Sequence, residues 1–176
     1  LMARNQVKLE KVREELAFQN NQNHQIICAD FNDIPLLQNV LSSELSEPID
    51  ILVNNSGGPH GGPLIEADPD EFRIGFERLL VSNQVITKAV VPSMQTRGFG
   101  RIINIISISV NQVIPGLGVS NTIRGAVSQW AKTLALELGS DGITVNNVLP
   151  GYTATNRLEE LVEAKAETLD VSRDQI

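Results

Sequence analysis

Three polar residues of this chain have side chains that can donate hydrogen bonds to a ligand oxygen. Ser107 and Ser120 carry hydroxyls, and Arg124 follows Ser120 by four positions. A hydroxyl polarises a carbonyl by donating a hydrogen bond, and a guanidinium stabilises negative charge that develops on oxygen. Residues four apart share one face of a helix. The spacing therefore predicts that Ser120 and Arg124 face the same site.

Each of the three residues also has a plainer interpretation. Ser107 can be a strand-end serine that bonds its own backbone. Ser120 can be the N-cap of a helix, a role that is compatible with holding a water or substrate. Arg124 can be a solvated helix arginine. These alternatives stay open at the level of sequence.

Apolar strands alternate with amphipathic helices along the chain. We predict strands at 26–29, 49–53, 102–106 and 143–149. Asp33 is a predicted N-cap, and 68–71 has the pattern of a capping box. The longest helices are predicted at 72–92, ending near Pro92, and at 120–138, ending at Gly139; the tail from 155 to 165 also has a helical pattern.

This alternation predicts a doubly wound parallel sheet covered by helices on both faces. Polar residues follow the strands at the edge where ligands of such sheets bind. They are Asp30, Asn54–Gly57, Ser107 and Pro150–Gly151. Four such positions along the same edge of the sheet predict a cofactor cleft.

Composition excludes several classes of function. The net charge of −7 argues against a nucleic-acid partner. No apolar run approaches the roughly 20 residues of a membrane helix. The single cysteine, Cys28, cannot form an internal disulfide. We expect a cytoplasmic protein with no membrane association and no metal site.

The motifs Asn54-Asn55-Ser56-Gly57, Gly100 to Ser107 and Pro150 to Thr155 together resemble the short-chain dehydrogenase/reductase family, over nearly the whole chain. The resemblance implies a Rossmann-type, three-layer α/β/α fold and one NAD(P)-binding domain over residues 1–176. Within the family, the chain resembles members that reduce 3-oxoacyl thioesters. In the family's register the chain would lack the first β-α-β unit, with its glycine-rich loop, and the last helix and strand.

The family's register also implies a departure at the reaction centre. The serine position is Ser107, but Ser120 stands at the tyrosine position and Arg124 at the lysine position. A phenol has a pKa of about 10, and an aliphatic hydroxyl is a far weaker acid. Leu79 stands where the family often places an asparagine for its water relay; Asn83 lies one turn further on.

The resemblance implies a set of cofactor-binding residues. Arg4, at a strand end, favours NADP(H) over NAD(H) by pairing with the 2′-phosphate, although it can also be a plain surface arginine. Arg124 would bond the nicotinamide ribose. The full set is Arg4, Asp30, Asn54, Ser56, Gly57, Arg124, Pro150, Gly151, Thr153 and Thr155.

Two residues are candidates for substrate contact. Tyr152, the chain's one tyrosine, can form a pocket wall or act as a substitute acid. His60 lies in a Gly/Pro loop and can meet substrate or move protons, or be an ordinary loop histidine. Trp130 lies on an apolar helical face, in the core or a subunit interface.

We therefore expect an NADP(H)-dependent oxidoreductase that acts on a small carbonyl or alcohol through a remodelled proton relay. The alternative is a catalytically inactive nucleotide-binding scaffold or regulatory homologue. The two long helices resemble those that pair between subunits in the family, which implies a homodimer or homotetramer.

Overall fold

The structure, a computed structural model, describes residues 1–19, 22–154 and 156–175. Within these ranges, parallel strands form two sheets. One pairs β1 (Met2–Ala3) with β2 (Ile27–Cys28); the other has the order β3-β4-β5, from Ile51–Asn54, Gly100–Ile105 and Ile143–Val148. The helices are α1 (Gln6–Glu15), α2 (Ile34–Glu44), α3 (Pro69–Phe76), α4 (Ser82–Arg97), α5 (Gly118–Leu138) and α6 (Asn156–Leu169). Parallel strands flanked by helices confirm the α/β class.

Helices α4 and α5 cover one face of the three-stranded sheet. Met94 of α4 and Ala131 of α5 pack against Ile102 of the central strand, and all three are buried. The alternating strand side chains on the opposite face are more open: Ile51 is 57% exposed and Val53 53%. The predicted buried strand at 49–53 is therefore packed on one face only in the described part of the chain, where Leu52 lies against α4.

A second apolar cluster joins the two sheets. Ala29, after β2, packs with Leu37 and Leu41 of α2 and with Ile86 of α4. Asp33 caps α2 as predicted, since its side chain accepts a hydrogen bond from the Leu36 amide at 2.9 Å. This packing fixes the strand pair beside β3.

The predicted long helix is one helical run with a π-helical turn inside it. Asp68 and Glu71 form the predicted capping box at its start. A π-helical segment, Glu77–Val81, joins α3 to α4. The helix does not end near Pro92 but runs on to Arg97, where Gly98 caps it in the left-handed conformation. A proline removes only one amide donor, and packing of the buried Met94 outweighs that loss.

Helix α5 begins earlier than the sequence predicts. Its N-cap is Leu117, so Ser120 lies inside the first turn and is not the N-cap. The start is fixed by a loop: the Gly62 amide donates to the Gly116 carbonyl at 2.7 Å, and the Gly118 amide donates to the Gly62 carbonyl at 3.1 Å. A Cβ at Gly118 would lie 2.6 Å from Leu64 Cα, so only glycine permits this approach.

Candidate active site

Ser107 lies two residues after the end of β4, at the edge of the sheet where α5 begins. Its Oγ accepts a hydrogen bond from the Ser109 amide at 3.1 Å and so caps the short 3₁₀ turn Ile108–Val110. Ser107 therefore does bond the nearby backbone, as its plainer interpretation predicts. This bond does not compete with a chemical role, because the hydroxyl proton remains available for donation to a ligand oxygen.

Ser120 and Arg124 face one another across one turn of α5, as their spacing predicts. Arg124 Nε donates to Ser120 Oγ at 3.2 Å, and Ser120 is buried. Because Ser120 Oγ accepts this bond, its own proton can be donated to a water or a ligand.

Arg124 ties α5 to the end of β4. Its Nη1 donates to the Ile106 carbonyl at 2.6 Å and, more weakly, to that of Ile105 at 3.4 Å. These bonds place the guanidinium beside the residue that precedes Ser107. Arg124 is therefore not a solvated surface arginine.

The Arg124 guanidinium is a partly buried cation. Burial lowers the pKa of Arg124 from its ordinary value, because desolvation disfavours the charged form. In the described parts of the chain, no carboxylate lies within ion-pair distance of it. An arginine keeps its charge at neutral pH even when partly desolvated. The site therefore presents a positive charge that an anionic or partly anionic ligand can neutralise.

Gly58 completes this group, although no motif in the sequence predicted it. A Cβ built at Gly58 would lie 3.1 Å from Arg124 Nη2 and 3.7 Å from Ser120 Oγ. The loop after β3 therefore passes directly over the guanidinium. Ser56 and Gly57, just before it, line the neighbouring cleft, so this loop joins the two sites.

Three asparagines form a ladder across the carboxyl ends of β3, β4 and β5. Asn54 Nδ2 donates to Asn104 Oδ1 at 2.9 Å, and Asn104 Nδ2 donates to Asn147 Oδ1 at 3.0 Å. The three residues are in register, and Asn104 is fully buried. Sequence reasoning selected Asn54 alone, although the shared strand-end position of the other two was a usable signal. The ladder fixes the strand ends that carry the site.

A cleft of about 230 Å³ opens at the ends of β1 and β2. It brings together four of the predicted cofactor residues: Arg4, Asp30, Ser56 and Gly57. Two polar side chains of its lining, beside the Asn54–Gly57 motif, were not predicted from the sequence. They are Asn32, which bonds Asp30, and Arg78, whose helical position gave no signal.

The segment after β5 runs beside Ser107. The Pro150 carbonyl accepts a hydrogen bond from the Ile108 amide at 3.1 Å, and a Cβ at Gly151 would lie 3.6 Å from Ile108 Cδ1. Thr153 and Tyr152 follow on an exposed stretch, with Tyr152 75% exposed. Thr155 lies outside the described residues.

His60 lies on the other side of the loop, in a second cleft of about 320 Å³. Its neighbours there include Glu66, Glu71 and Val119, the residue before Ser120.

Three other residues named in the sequence analysis lie on the long helices. Leu79 is buried, and Trp130 Nε1 donates to Gln84 Oε1 of α4 at 2.7 Å. Among the described residues, no hydrogen bond links Asn83 to Ser107, Ser120 or Arg124.

Comparison with known proteins agrees with this arrangement. The family described as short chain dehydrogenase matches residues 1–166. Carbonyl reductase (NADPH) 2 from Sus scrofa is 31% identical over 114 residues, which cover 64% of this chain and 46% of that protein. The chain spans about a third to a half of the length of the curated relatives that it matches.

Solved structures show the same fold. L-sorbose reductase from Gluconobacter frateurii, complexed with NADPH and L-sorbose, superposes with a TM-score of 0.86 at 27% identity, over 95% of this chain and 64% of that one. An actinorhodin polyketide ketoreductase with NADPH gives 0.87 at 29% identity, over 99% and 68%.

The fold and the site define a protein of the Rossmann type with a cleft at its strand ends. The chain belongs to the short-chain dehydrogenase family of oxidoreductases. Among the described residues, no helix is both long and apolar enough to cross a membrane.

Proposed function

We propose that the protein is an NADP(H)-dependent oxidoreductase that reduces a carbonyl, or oxidises the corresponding alcohol, without a tyrosine acid. The partly buried Arg124 cation, held beside Ser107 and Ser120, is the observation that carries the proposal. A 3-oxoacyl thioester is one substrate of the proposed class. A curated ketoreductase and a carbonyl reductase among the relatives support this choice.

The cleft fits the proposed cofactor. Asp30 offers a carboxylate acceptor, Arg4 offers a cation at the exposed strand end, and Gly57 leaves open space around its Cα. Asn54, Pro150, Gly151, Thr153 and Thr155 complete the proposed set. NADP complexes among the solved neighbours and the guanidinium of Arg4 favour NADP(H) over NAD(H). The bound nicotinamide supplies or accepts the hydride.

In the proposed mechanism, the chain's own residues bind the reacting oxygen and handle its charge. Ser107 donates its hydroxyl proton in a hydrogen bond to the substrate oxygen. Arg124 Nη2, which has no acceptor among the described residues, bonds the ribose or stabilises the developing negative charge. A water held by Ser120 delivers the proton. His60 and Tyr152 are proposed to border the substrate.

The first test is cofactor oxidation by the full-length protein. NADPH consumption is followed with ketone, aldehyde and 3-oxoacyl-thioester substrates, with NADH in parallel. We expect turnover on at least one substrate class and a preference for NADPH. Tight NADPH binding without turnover on any of them would contradict the proposal.

A catalytically silent, nucleotide-binding scaffold is the second candidate. It is favoured by the joint departure of Ser120, Arg124 and Leu79 from the family's pattern. A silent protein would still bind nucleotide, because the cleft and the Arg124 site lie at different strand ends.

The double variant Ser120→Tyr with Arg124→Lys separates the two candidates. If the native protein is a remodelled enzyme, we expect the variant to turn over at least about tenfold more slowly, since the tuned site is lost. If activity instead rises from nothing, the native protein is the silent scaffold. Steady-state kcat and KM, with each single variant as a control, give the answer.

We further propose that the protein is a homodimer or homotetramer. Ile74 and Phe76 of α3 and Leu136 of α5 are 47%, 41% and 88% exposed. Exposed apolar side chains on the helices that bear the site favour association through these helices.

A further inference from the structure

Arg78 lies at an unusual point of the helical run. It is the second residue of the π-helical segment Glu77–Val81, and it lines the cleft at the ends of β1 and β2. Its carbonyl accepts hydrogen bonds from Ser56 Oγ at 3.3 Å and Ser82 Oγ at 2.5 Å. π-Helical turns occur frequently at functional sites. The backbone of Arg78 is thus tied to the same loop that carries Gly57 and Gly58.

The Arg78 side chain is oriented by a short chain of hydrogen bonds. Arg78 Nε donates to Asn32 Oδ1 at 2.9 Å. Asn32 in turn donates twice to Asp30 Oδ1, from its amide at 2.9 Å and from its Nδ2 at 3.2 Å. These contacts join the loop after β2 to the helix. They hold a half-buried guanidinium in a defined plane.

The remaining donors of this guanidinium are not used by the protein. In the described ranges, neither Nη1 nor Nη2 of Arg78 has an acceptor, and no carboxylate forms an ion pair with it. Apolar side chains supply other walls of the cleft, among them Ala29 and Phe31. A flat cation beside apolar walls is suited to an aromatic ring, because guanidinium groups stack on π-systems.

We propose that Arg78 is a cofactor-binding residue that stacks on the purine base of the nucleotide, and that Asn32 positions it. The proposal rests on the nucleotide cleft of the proposed function. The Asp30 carboxylate can accept a hydrogen bond from an exocyclic amino group at the edge of the same ring. It would repel a phosphate placed at Arg78, because both carry negative charge. A base therefore fits this position better than a phosphate, which is assigned to Arg4.

The test compares two fragments that share a base but differ in one phosphate. Binding of 5′-AMP and of 2′,5′-ADP to the full-length protein is measured by calorimetry for the native protein and for Arg78→Met. We expect the variant to bind both ligands about five- to tenfold more weakly, by the same factor, because stacking is lost in both. Arg4→Met is expected to weaken 2′,5′-ADP alone.

Two further variants sharpen the result. Arg78→Lys keeps the charge but loses the plane and the Nε bond, so we expect nearly the same loss as with methionine. Arg73→Met removes an exposed arginine of α3 that pairs with Asp70 and does not line the cleft, so affinities should stay unchanged. Circular dichroism and thermal melting establish that each variant is folded.

Two results would overturn the assignment: unchanged affinities in a folded Arg78→Met or Arg78→Lys, or a loss confined to 2′,5′-ADP. A native protein that binds neither fragment nor NADPH contradicts the proposed function itself. Native binding with no Arg78 effect contradicts only this inference.

Discussion

At the scale of single residues, the main finding is how Arg124 is held. Its guanidinium donates three hydrogen bonds, to the Ser120 hydroxyl and to the carbonyls of Ile106 and Ile105. The guanidinium cannot shift without losing these bonds. Gly58 leaves room for it, since any side chain there would press on Nη2. A glycine whose replacement would crowd Arg124 therefore lies two residues after Ser56, outside the motif Asn54–Gly57.

Gly58→Ala tests this packing. The new methyl would lie 3.1 Å from Arg124 Nη2, closer than ordinary contact. We expect kcat to fall about tenfold with a small change in thermal stability, because a shift of a few tenths of an ångström misplaces the charge. Steady-state kinetics and thermal melting measure the two effects.

Gly125→Ala is the matched control for that variant. Gly125 follows Arg124 in α5, and a Cβ there meets nothing within 4 Å. Its activity should be unchanged, with a gain of roughly 0.5–1 kcal/mol in helix stability. Equal losses of activity in the two variants would argue against a specific contact between Gly58 and Arg124.

At the scale of elements, the asparagine ladder holds the strand ends of β3, β4 and β5 together. Asn104 is its centre, because it both accepts from Asn54 and donates to Asn147. Buried polar groups are stable only when they are paired. The local pattern predicts the strands, but it does not predict that the three amides meet, since they lie on separate strands and meet only through the sheet register.

Asn104→Leu is predicted to destabilise the fold. It leaves the buried Asn54 amide without its acceptor and Asn147 without its donor. We expect the free energy of unfolding to fall by about 2–4 kcal/mol. Urea denaturation measures it. Asn146→Ala, at an exposed position of the next strand, should change it by less than about 0.5 kcal/mol; similar losses in both would refute the ladder's role.

At the scale of the whole molecule, two sites lie along one edge, and a single loop connects them. Ser56 and Gly57 line the proposed nucleotide cleft, and Gly58 packs on Arg124. The helices that position this edge also carry exposed apolar side chains, of which Leu136 on α5 is 88% exposed. The proposed assembly would cover part of this surface.

Leu136→Glu is predicted to weaken that assembly. A charge buried at an apolar interface is costly, so the variant should move towards a smaller species. Light scattering coupled to size exclusion measures the mass of each species. Val7→Glu, at a 75% exposed position of α1, is the control. A native mass equal to one chain, or an unchanged assembly in the Leu136 variant, would contradict the proposed interface.

The sequence by itself determined the alternation of strands and helices, the polar strand ends and the common face of Ser120 and Arg124. These features follow from local periodicity, which needs no knowledge of distant contacts. Local periodicity predicts the wrong start for α5 and the wrong end for α4, because loop contacts and core packing set those boundaries. Only the tertiary structure placed Gly58 on Arg124 and Asn32 on Arg78. Such contacts join residues up to 66 positions apart, and the packing of distant elements decides which side chains meet.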